Sequence, residues 1–334
     1  MSDNNTLNDS LLLKIVIMNR ISTLCVWGLL LFSAISMSSC YKFPGQTVPS
    51  YLRIDSVGLD CDYYIYGANT SNFTDAWVYV DDRVLGCYEL PAVIPVLAEG
   101  RHEVTVRAGI CVNGIGDARS YYTLVKPTTD SLFLVKDSIV HYNPSVTYYP
   151  INEGVQIGWL EDFETTNALV SIPQSDADVV QTGTEDSHIW FQEPYSYHSG
   201  KIQLPPDSLD FYVTSADEFV FYKDYVEYCL LEMDYNCNDT FFVGLSYLED
   251  YTLTYHPLVK VLPTDKQHNC PDVWKKIYIN LGPFMNAHVD ASYFKLYFTS
   301  DLTVAASYGQ APYIPLDQPR YYYFDNLKVL YRPR

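Results

Sequence analysis

Hydrophobic and polar residues alternate along most of the chain beyond residue 50. Val104 and Val106 fall on one face of an extended strand, while the polar residues around them fall on the other. The segment 75–82 reads as a strand that ends in a two-aspartate turn, and 83–90 as its hairpin partner. Long stretches with the 3.6-residue period of an amphipathic helix are absent. The pattern therefore predicts an all-β protein whose antiparallel sheets each bury one face.

Composition and charge narrow the classes of function. Hydrophobic residues make up 48% of the 334 residues and charged residues 18%, which excludes a disordered tail. The 31 tyrosines suit strand packing, where aromatic residues are enriched. The net charge of −19 argues against a nucleic-acid partner, because binding phosphates requires a basic face. Residues 1–39 hold two acidic and two basic residues, so this charge belongs to the rest of the chain.

The first forty residues have the features of a secretory signal. Arg20 precedes a short apolar core, and small residues follow it up to Cys40. The segment Met37-Ser38-Ser39-Cys40 resembles the lipobox of bacterial lipoproteins, in the looser form found in Bacteroidota. That resemblance implies that Cys40 carries the acyl chains that anchor the protein in the outer membrane. Both faces of that membrane, periplasmic and external, stay open as its location. The alternative is a plain secreted protein in which Cys40 is incidental. Met18 is a better start for such a signal than Met1.

Four segments are expected along the chain: a signal peptide (1–39), a lipidated tether (40–50), a first β-sandwich (51–150) and a second (151–334). The turn-rich segment 144–152 is the expected connection. Within the first sandwich, residues 77–110, with the pattern WVYVDD…LG…IPVLAEGRHEVTVRAG, resemble PEGA-type modules. That resemblance implies a small extracytoplasmic, Ig-like β-domain that serves as a spacer or interaction module.

The second half carries "DFE" at 162–164, "HSGK" at 198–201 and "FDNLKV" at 324–329. These segments resemble the galactose-binding-like jelly roll, a fold found in many carbohydrate-binding modules. The resemblance implies a possible structural calcium, with Asp162, Glu164 and Asp325 at the matching positions. The alternative is that these three are solvated acids at strand ends.

A binding function would need aromatic rings next to polar groups, because sugar rings present apolar faces and hydroxyl groups together. The segment 188–197 offers this combination, and Trp190, Tyr195 and Tyr197 are its candidate ligand-binding residues. The alternative at each position is packing within the sandwich.

The sharpest enzymatic candidate is the Glu232-Met233-Asp234 segment, which resembles the E-x-D-x-x-E strand of jelly-roll β-glucanases. Alternate residues on a strand share a face, so both carboxylates would face one cleft. The third carboxylate of that pattern would fall at position 237 or 238, which are Cys237 and Asn238. We therefore expect a protein that is not an enzyme. The six cysteines after Cys40 leave two possibilities open, disulfide bridges or buried thiols.

Together these features predict a non-catalytic outer-membrane lipoprotein that binds a glycan or another surface ligand through its jelly roll. Its expected partners are the membrane, through the lipid anchor, and a glycan or an envelope protein. One alternative is a structural or assembly subunit of an envelope complex, and a glycosidase is a further one.

Overall fold

Strands dominate the part of the chain that the computed structural model describes, namely residues 48–151, 153–190, 192–220, 226–264, 273–300 and 314–333. The first half contains β1 (Ser50–Ile54), β2 (Gly58–Asp60), β3 (Asp75–Val80), β4 (Arg83–Glu89), β5 (Ala92–Val96), β6 (Gly100–Cys111), β7 (Arg119–Tyr121), β8 (Thr128–Leu134), β9 (Ile139–His141) and β10 (Ser145–Thr147). The second half contains β11 (Gln156–Glu161), β12 (Leu169–Ser171), β13 (Val179–Gln181), β14 (Gly200–Leu204), β15 (Tyr212–Ser215), β16 (Val226–Cys237), β17 (Phe241–Glu249), β18 (Thr252–Val261), β19 (Lys275–Asn280), β20 (Tyr293–Thr299) and β21 (Arg320–Pro333). Two short helices join them, α1 (Tyr63–Tyr66) and α2 (Gly282–Ala287).

The first half is a small β-sandwich. One sheet has the order β4-β3-β6-β7, with β8 also paired to β6, and a second sheet has the order β5-β1-β9. Asp81 and Asp82 form the turn between β3 and β4, both with positive φ, as two-residue hairpin turns require. Val104 and Val106 are buried in the core, which confirms the alternation read from the sequence.

The second half is a larger β-sandwich built entirely from antiparallel pairings among the described strands. One sheet has the order β13-β14-β21-β16-β19, with β11 also paired to β21, and the other has the order β12-β15-β20-β17-β18. A single apolar cluster fills the space between the two sheets. The predicted all-β fold of two β-sandwiches is confirmed.

The two sandwiches share buried surface. The apolar core of the first sandwich includes Leu230, Tyr278 and Leu330, which belong to β16, β19 and β21 of the second. These strands therefore bury both faces, one toward their own core and one toward the first sandwich. Residues Pro49–Arg334 form one compact unit. The predicted boundary near residue 150 stays a prediction.

The signal peptide and Cys40 lie outside the described residues, as does Cys270. Among the described cysteines, Cys61, Cys87, Cys111, Cys229 and Cys237 are free thiols. Within the same part of the chain, no helix has the length and hydrophobicity needed to cross a membrane.

Candidate functional site

Glu232 and Asp234 lie on one face of β16, as their alternate spacing predicts, and that face packs against the first sandwich. Both side chains are buried. Glu232 Oε1 accepts hydrogen bonds from the hydroxyl groups of Tyr122 and Tyr148, and the Tyr148 bond measures 2.8 Å. The two tyrosines belong to the first sandwich, so this carboxylate holds the two halves together.

Two buried lysines balance these acids. Lys276 on β19 lies opposite Asp234 in the ladder, and Lys328 on β21 lies opposite Glu232. Lys276 Nζ is 3.1 Å from Glu232 Oε2 and 3.8 Å from Asp234 Oδ2. Lys328 Nζ donates to the carbonyl oxygen of Ala68 in the first sandwich, at 2.5 Å. Charges buried in this way persist only when they are paired and hydrogen-bonded.

The pKa values of the cluster reflect both burial and pairing. Burial raises the pKa of Glu232, but Lys276 and Lys328 outweigh this effect and leave the pKa below its usual value. Burial raises the pKa of Asp234 despite the same lysines. Burial and the charge of Lys276 lower the pKa of Lys328 to about 8. The cluster thus carries opposite charges that are buried between the two sandwiches.

Asp234 also borders a pocket of about 340 Å³ between the two sandwiches, which we call the junction pocket. Thr70 from the first sandwich lines this pocket and connects two of its charged residues. The Thr70 hydroxyl donates to Asp234 Oδ2 at 2.6 Å and accepts from Lys276 Nζ at 2.8 Å. The remaining lining residues are aromatic or polar: Asn69, Ser71, Trp190, Gln192, Trp274 and Lys275.

Two tryptophans form the aromatic part of the junction pocket. The rings of Trp190 and Trp274 meet edge to face, with centroids 6.0 Å apart and planes at 73°. Trp274 Nε1 donates to the His188 carbonyl oxygen at 3.0 Å. The backbone N–H of Trp190 donates to Ser199 Oγ at 3.0 Å. Both rings are partly exposed and held in place by these bonds.

Two polar atoms of the pocket residues have no hydrogen-bond partner in the described structure, the Trp190 Nε1 donor and the Gln192 Oε1 acceptor. Gln192 uses its Nε2 group to donate to Asn69 Oδ1 at 3.0 Å, which links the two sandwiches across the pocket. Buried polar groups without partners are uncommon in folded proteins and call for an explanation. Both atoms are shielded from solvent, so neither faces the open space of the pocket.

The structure does not bring the three sequence-predicted binding residues together. Trp190 lines the junction pocket, as just described. Tyr195 instead stacks on Tyr63 of α1, with ring centroids 4.5 Å apart and planes at 15°. Tyr197 is placed by its backbone N–H, which donates to Glu164 Oε1 at 2.8 Å. Ligand binding by Tyr195 and Tyr197 stays a prediction, and the geometry gives Tyr195 a packing role.

Trp274, Thr70 and Asn69 are pocket residues that the sequence reasoning missed. They come from chain segments far from Trp190, so no local pattern joins them. The signal that could have drawn attention to Trp274 is its position directly before a Lys-Lys pair at the start of a strand.

Each of the three predicted calcium ligands accepts hydrogen bonds from protein groups. Glu164 Oε1 accepts from the backbone N–H groups of residues 197 and 198, both at 2.8 Å. Asp162 Oδ2 accepts from the Tyr63 hydroxyl at 2.8 Å, and Asp325 Oδ2 from the Ser199 hydroxyl at 2.7 Å. Among the described residues, no three acidic, histidine or cysteine side chains are grouped to hold a metal ion. Calcium binding here stays a prediction.

Comparisons with known proteins give distant structural likenesses only. No family model and no curated protein matches the chain. Solved structures similar to it include the enzymatically active domain of tailspike protein 4 of bacteriophage CBA120 (TM-score 0.32, 8% identity). They also include the CBM22-1–GH10 modules of Clostridium thermocellum xylanase 10B with xylohexaose (TM-score 0.34, 12% identity). A third is the family 11 carbohydrate-binding module of C. thermocellum with a mixed-linked tetrasaccharide (TM-score 0.32, 12% identity).

The matched regions differ in extent. The three matches cover 48%, 54% and 53% of this chain. The chain spans 18% of the tailspike domain and 28% of the xylanase, but 95% of the family 11 module. At this level of similarity the likeness does not identify a ligand for this chain.

Proposed function

We propose that this protein is a non-catalytic glycan-binding protein whose ligand occupies the junction pocket. The observation that carries the proposal is the pair of partly exposed tryptophans, Trp190 and Trp274, set among hydroxyl, amide and ammonium groups. Sugar rings stack their apolar C–H faces on indole rings, while polar groups fix the hydroxyls.

The charge arrangement supports binding without hydrolysis. Glycoside hydrolysis generally uses two carboxyl groups on opposite sides of the scissile bond, about 5–10 Å apart. Asp234 is the one acidic residue among the described residues that line the junction pocket. Glu232 lies beside it in the buried interface, where two tyrosine hydroxyls and Lys276 engage its carboxylate. Asp234 itself accepts from Thr70 and Asn326.

We further propose that the protein is a lipoprotein of the bacterial outer membrane, anchored through Cys40. This part of the proposal rests on the sequence of the first forty residues. Palmitate labelling of the expressed full chain, with Cys40→Ser as the control, tests it. We expect label only in the wild-type protein, and equal labelling of the variant would overturn the anchor.

Affinity gel electrophoresis on a panel of polysaccharides, followed by a glycan array, tests ligand binding. The experiment uses the whole chain, because residues 69–71 supply one side of the pocket and a 151–334 fragment would lack it. We expect retardation by at least one glycan and its loss on Trp190→Ala. Tyr251→Ala removes an aromatic ring that is fully exposed in the turn between β17 and β18, and serves as the matched control. Absence of any glycan binding would refute the proposal.

A further inference from the structure

Strand β18 lies at the edge of its sheet and, with 10 residues, is the longest edge strand in the described part of the chain. One side of β18 pairs with β17, and its other side pairs with no described strand. The edge strand β19 of the facing sheet is covered instead. Asn72 Nδ2 donates to the Lys276 carbonyl oxygen at 3.0 Å, and the Asn113 N–H donates to the Tyr278 carbonyl oxygen at 2.7 Å. Edge strands in natural proteins are usually short, charged or covered, so the open side of β18 calls for a partner.

The register of the β17–β18 hairpin determines which backbone groups of β18 point outward. Residues 250–251 form a two-residue turn with positive φ, so Glu249 and Thr252 are the hydrogen-bonded pair that closes the hairpin. In an antiparallel ladder, hydrogen-bonded pairs alternate with pairs whose backbone groups point away from the partner strand. The N–H and C=O groups of Leu253 and Tyr255 therefore point away from β17.

The described hydrogen bonds agree with this assignment. The Leu248 carbonyl oxygen, opposite Leu253 in the ladder, accepts from the Ser292 N–H at 2.7 Å and so faces away from β18. Within the described part of the chain, no hydrogen bond uses the outward groups of β18 on either side of residue 254. Pro257 takes the next outward position and has no N–H to donate, which limits pairing at a sheet edge. The unpaired stretch is thus 252–256, which we call the free edge.

The side chains of the free edge suit contact with another strand. Leu253 and Tyr255 are 46% and 38% exposed, and their alternate spacing places both on one face of the sheet. The free edge contains no acid, lysine or arginine, although the protein carries a net charge of −19. Like charges directly opposite each other destabilise a strand pair. Two copies of this acidic protein can therefore meet at the free edge without such a clash.

We propose that two copies of this chain pair antiparallel through their free edges, with a two-fold axis at Thr254. In that register Leu253 of one copy lies opposite Tyr255 of the other, and each such pair exchanges both its N–H···O bonds through the outward groups. The turn ends the free edge on one side and Pro257 on the other, so a two-fold axis at its centre aligns the two free edges over their whole length. This self-complementary match is what favours a second copy over a strand of another protein. The two β18 strands then join the sheets of both copies into one continuous sheet.

Sedimentation velocity of the whole chain over a range of protein concentrations tests this pairing. The paired surface is small beside stable interfaces, which bury at least about 1,200 Å², so we expect a dimer whose fraction rises with concentration. Tyr255→Lys should raise the concentration of half-dimerisation by about tenfold or more, because an edge lysine opposes pairing and the substitution occurs in both copies. Leu209→Lys is the matched control, since Leu209 is 53% exposed in the loop between β14 and β15. It should dimerise as wild type does.

Oxidative cross-linking tests the register. At the two-fold axis the Thr254 Cα atoms of the two copies would form a non-hydrogen-bonded pair about 4.5 Å apart, within the range of a disulfide. Thr254→Cys should therefore give a covalent dimer on mild oxidation, above the background that the native thiols give in wild type. Thr252→Cys is its control, because the two copies of that position would lie roughly 13 Å apart along the strands, beyond disulfide range.

Two results would overturn the inference. A wild-type chain that stays monomeric at every concentration would leave the free edge to a strand of another protein. Equal cross-linking of Thr254→Cys and Thr252→Cys would show association in a different register or through another surface. Every protein is compared as the whole chain, so association through the first forty residues is common to all of them. Neither result bears on the proposed glycan binding.

Discussion

Lys328 shows how a single buried charge is maintained in this fold. Its ammonium group lies in the interface, donates to the Ala68 carbonyl oxygen and faces the ring of Tyr148 at 5.6 Å. Glu232 and Asp234 favour its charged form, while burial and the nearby Lys276 disfavour it. The unfavourable effects are larger, so the pKa falls from 10.5 to about 8. Lys328 therefore loses its proton in the folded protein before it does so in the unfolded chain.

This difference predicts a pH dependence of stability. Between about pH 8 and pH 10.5 the unfolded chain binds the Lys328 proton and the folded protein does not. The free energy of unfolding should then rise with pH, at up to about 1.4 kcal/mol per pH unit from this group. Urea unfolding at a series of pH values measures this dependence. Between pH 8 and pH 10.5, the free energy of unfolding of Lys328→Met should increase less with pH, or decrease more, than that of wild type. Parallel curves for the two proteins would contradict the lowered pKa.

At the scale of elements, the pairing of β17 with β18 depends on one glycine. The ladder register shifts between Val243 and Gly244, where the backbone of β18 comes very close. A Cβ atom on Gly244 would lie 2.0 Å from the His256 carbonyl oxygen and 2.7 Å from Pro257 Cα. Both are backbone atoms of a paired strand, so they cannot move aside as a flexible side chain would. Glycine permits this approach between strands.

We therefore expect Gly244→Ala to lower the free energy of unfolding by about 2 kcal/mol, within the usual range for overpacking a core. Chemical denaturation of the purified variant measures the loss. Gly116→Ala is the matched control, because its Cβ would meet no atom within 4 Å and its φ is not positive. The control should stay within about 0.5 kcal/mol of wild type. Equal stability of the two variants would show that the strands separate without strain at Gly244.

At the scale of the whole molecule, the two sandwiches are tied together by both apolar and polar contacts. Leu230, Tyr278 and Leu330 of the second sandwich complete the core of the first. Glu232 accepts from two tyrosines of the first sandwich. Separating the halves would expose this apolar surface and the buried charges to water. Each half is thus stabilised by the other, although a turn-rich segment near residue 150 separates the two halves in the sequence.

The whole-molecule prediction is that residues 49–334 unfold in one cooperative transition. Differential scanning calorimetry should give a single peak whose van 't Hoff and calorimetric enthalpies agree. Glu232→Ala should shift this peak to lower temperature without splitting it, because both halves lose the same contact. Two resolved peaks in the wild-type protein would mean that the sandwiches are independent domains.

The sequence allowed some of these features to be predicted and not others, for physical reasons. Period-2 alternation at Val104 and Val106 identified strands, and the spacing of Glu232 and Asp234 placed both on one face. Burial of Lys276 and Lys328 could not be predicted, because lysine is almost never buried unless it is paired, and the pairing is set by sheet register. The junction pocket joins four distant segments, so a local pattern singles out only Trp190 of its two tryptophans.

The central claim is that the two tryptophans of the junction pocket bind a glycan. Isothermal titration of the best-binding glycan into wild type, Trp274→Ala and Tyr251→Ala tests it most directly. We predict that Trp274→Ala weakens binding by at least about tenfold, in line with the loss of one stacking ring. The Tyr251→Ala control should bind as wild type does. Unchanged affinity in a folded Trp274→Ala protein would contradict the claim.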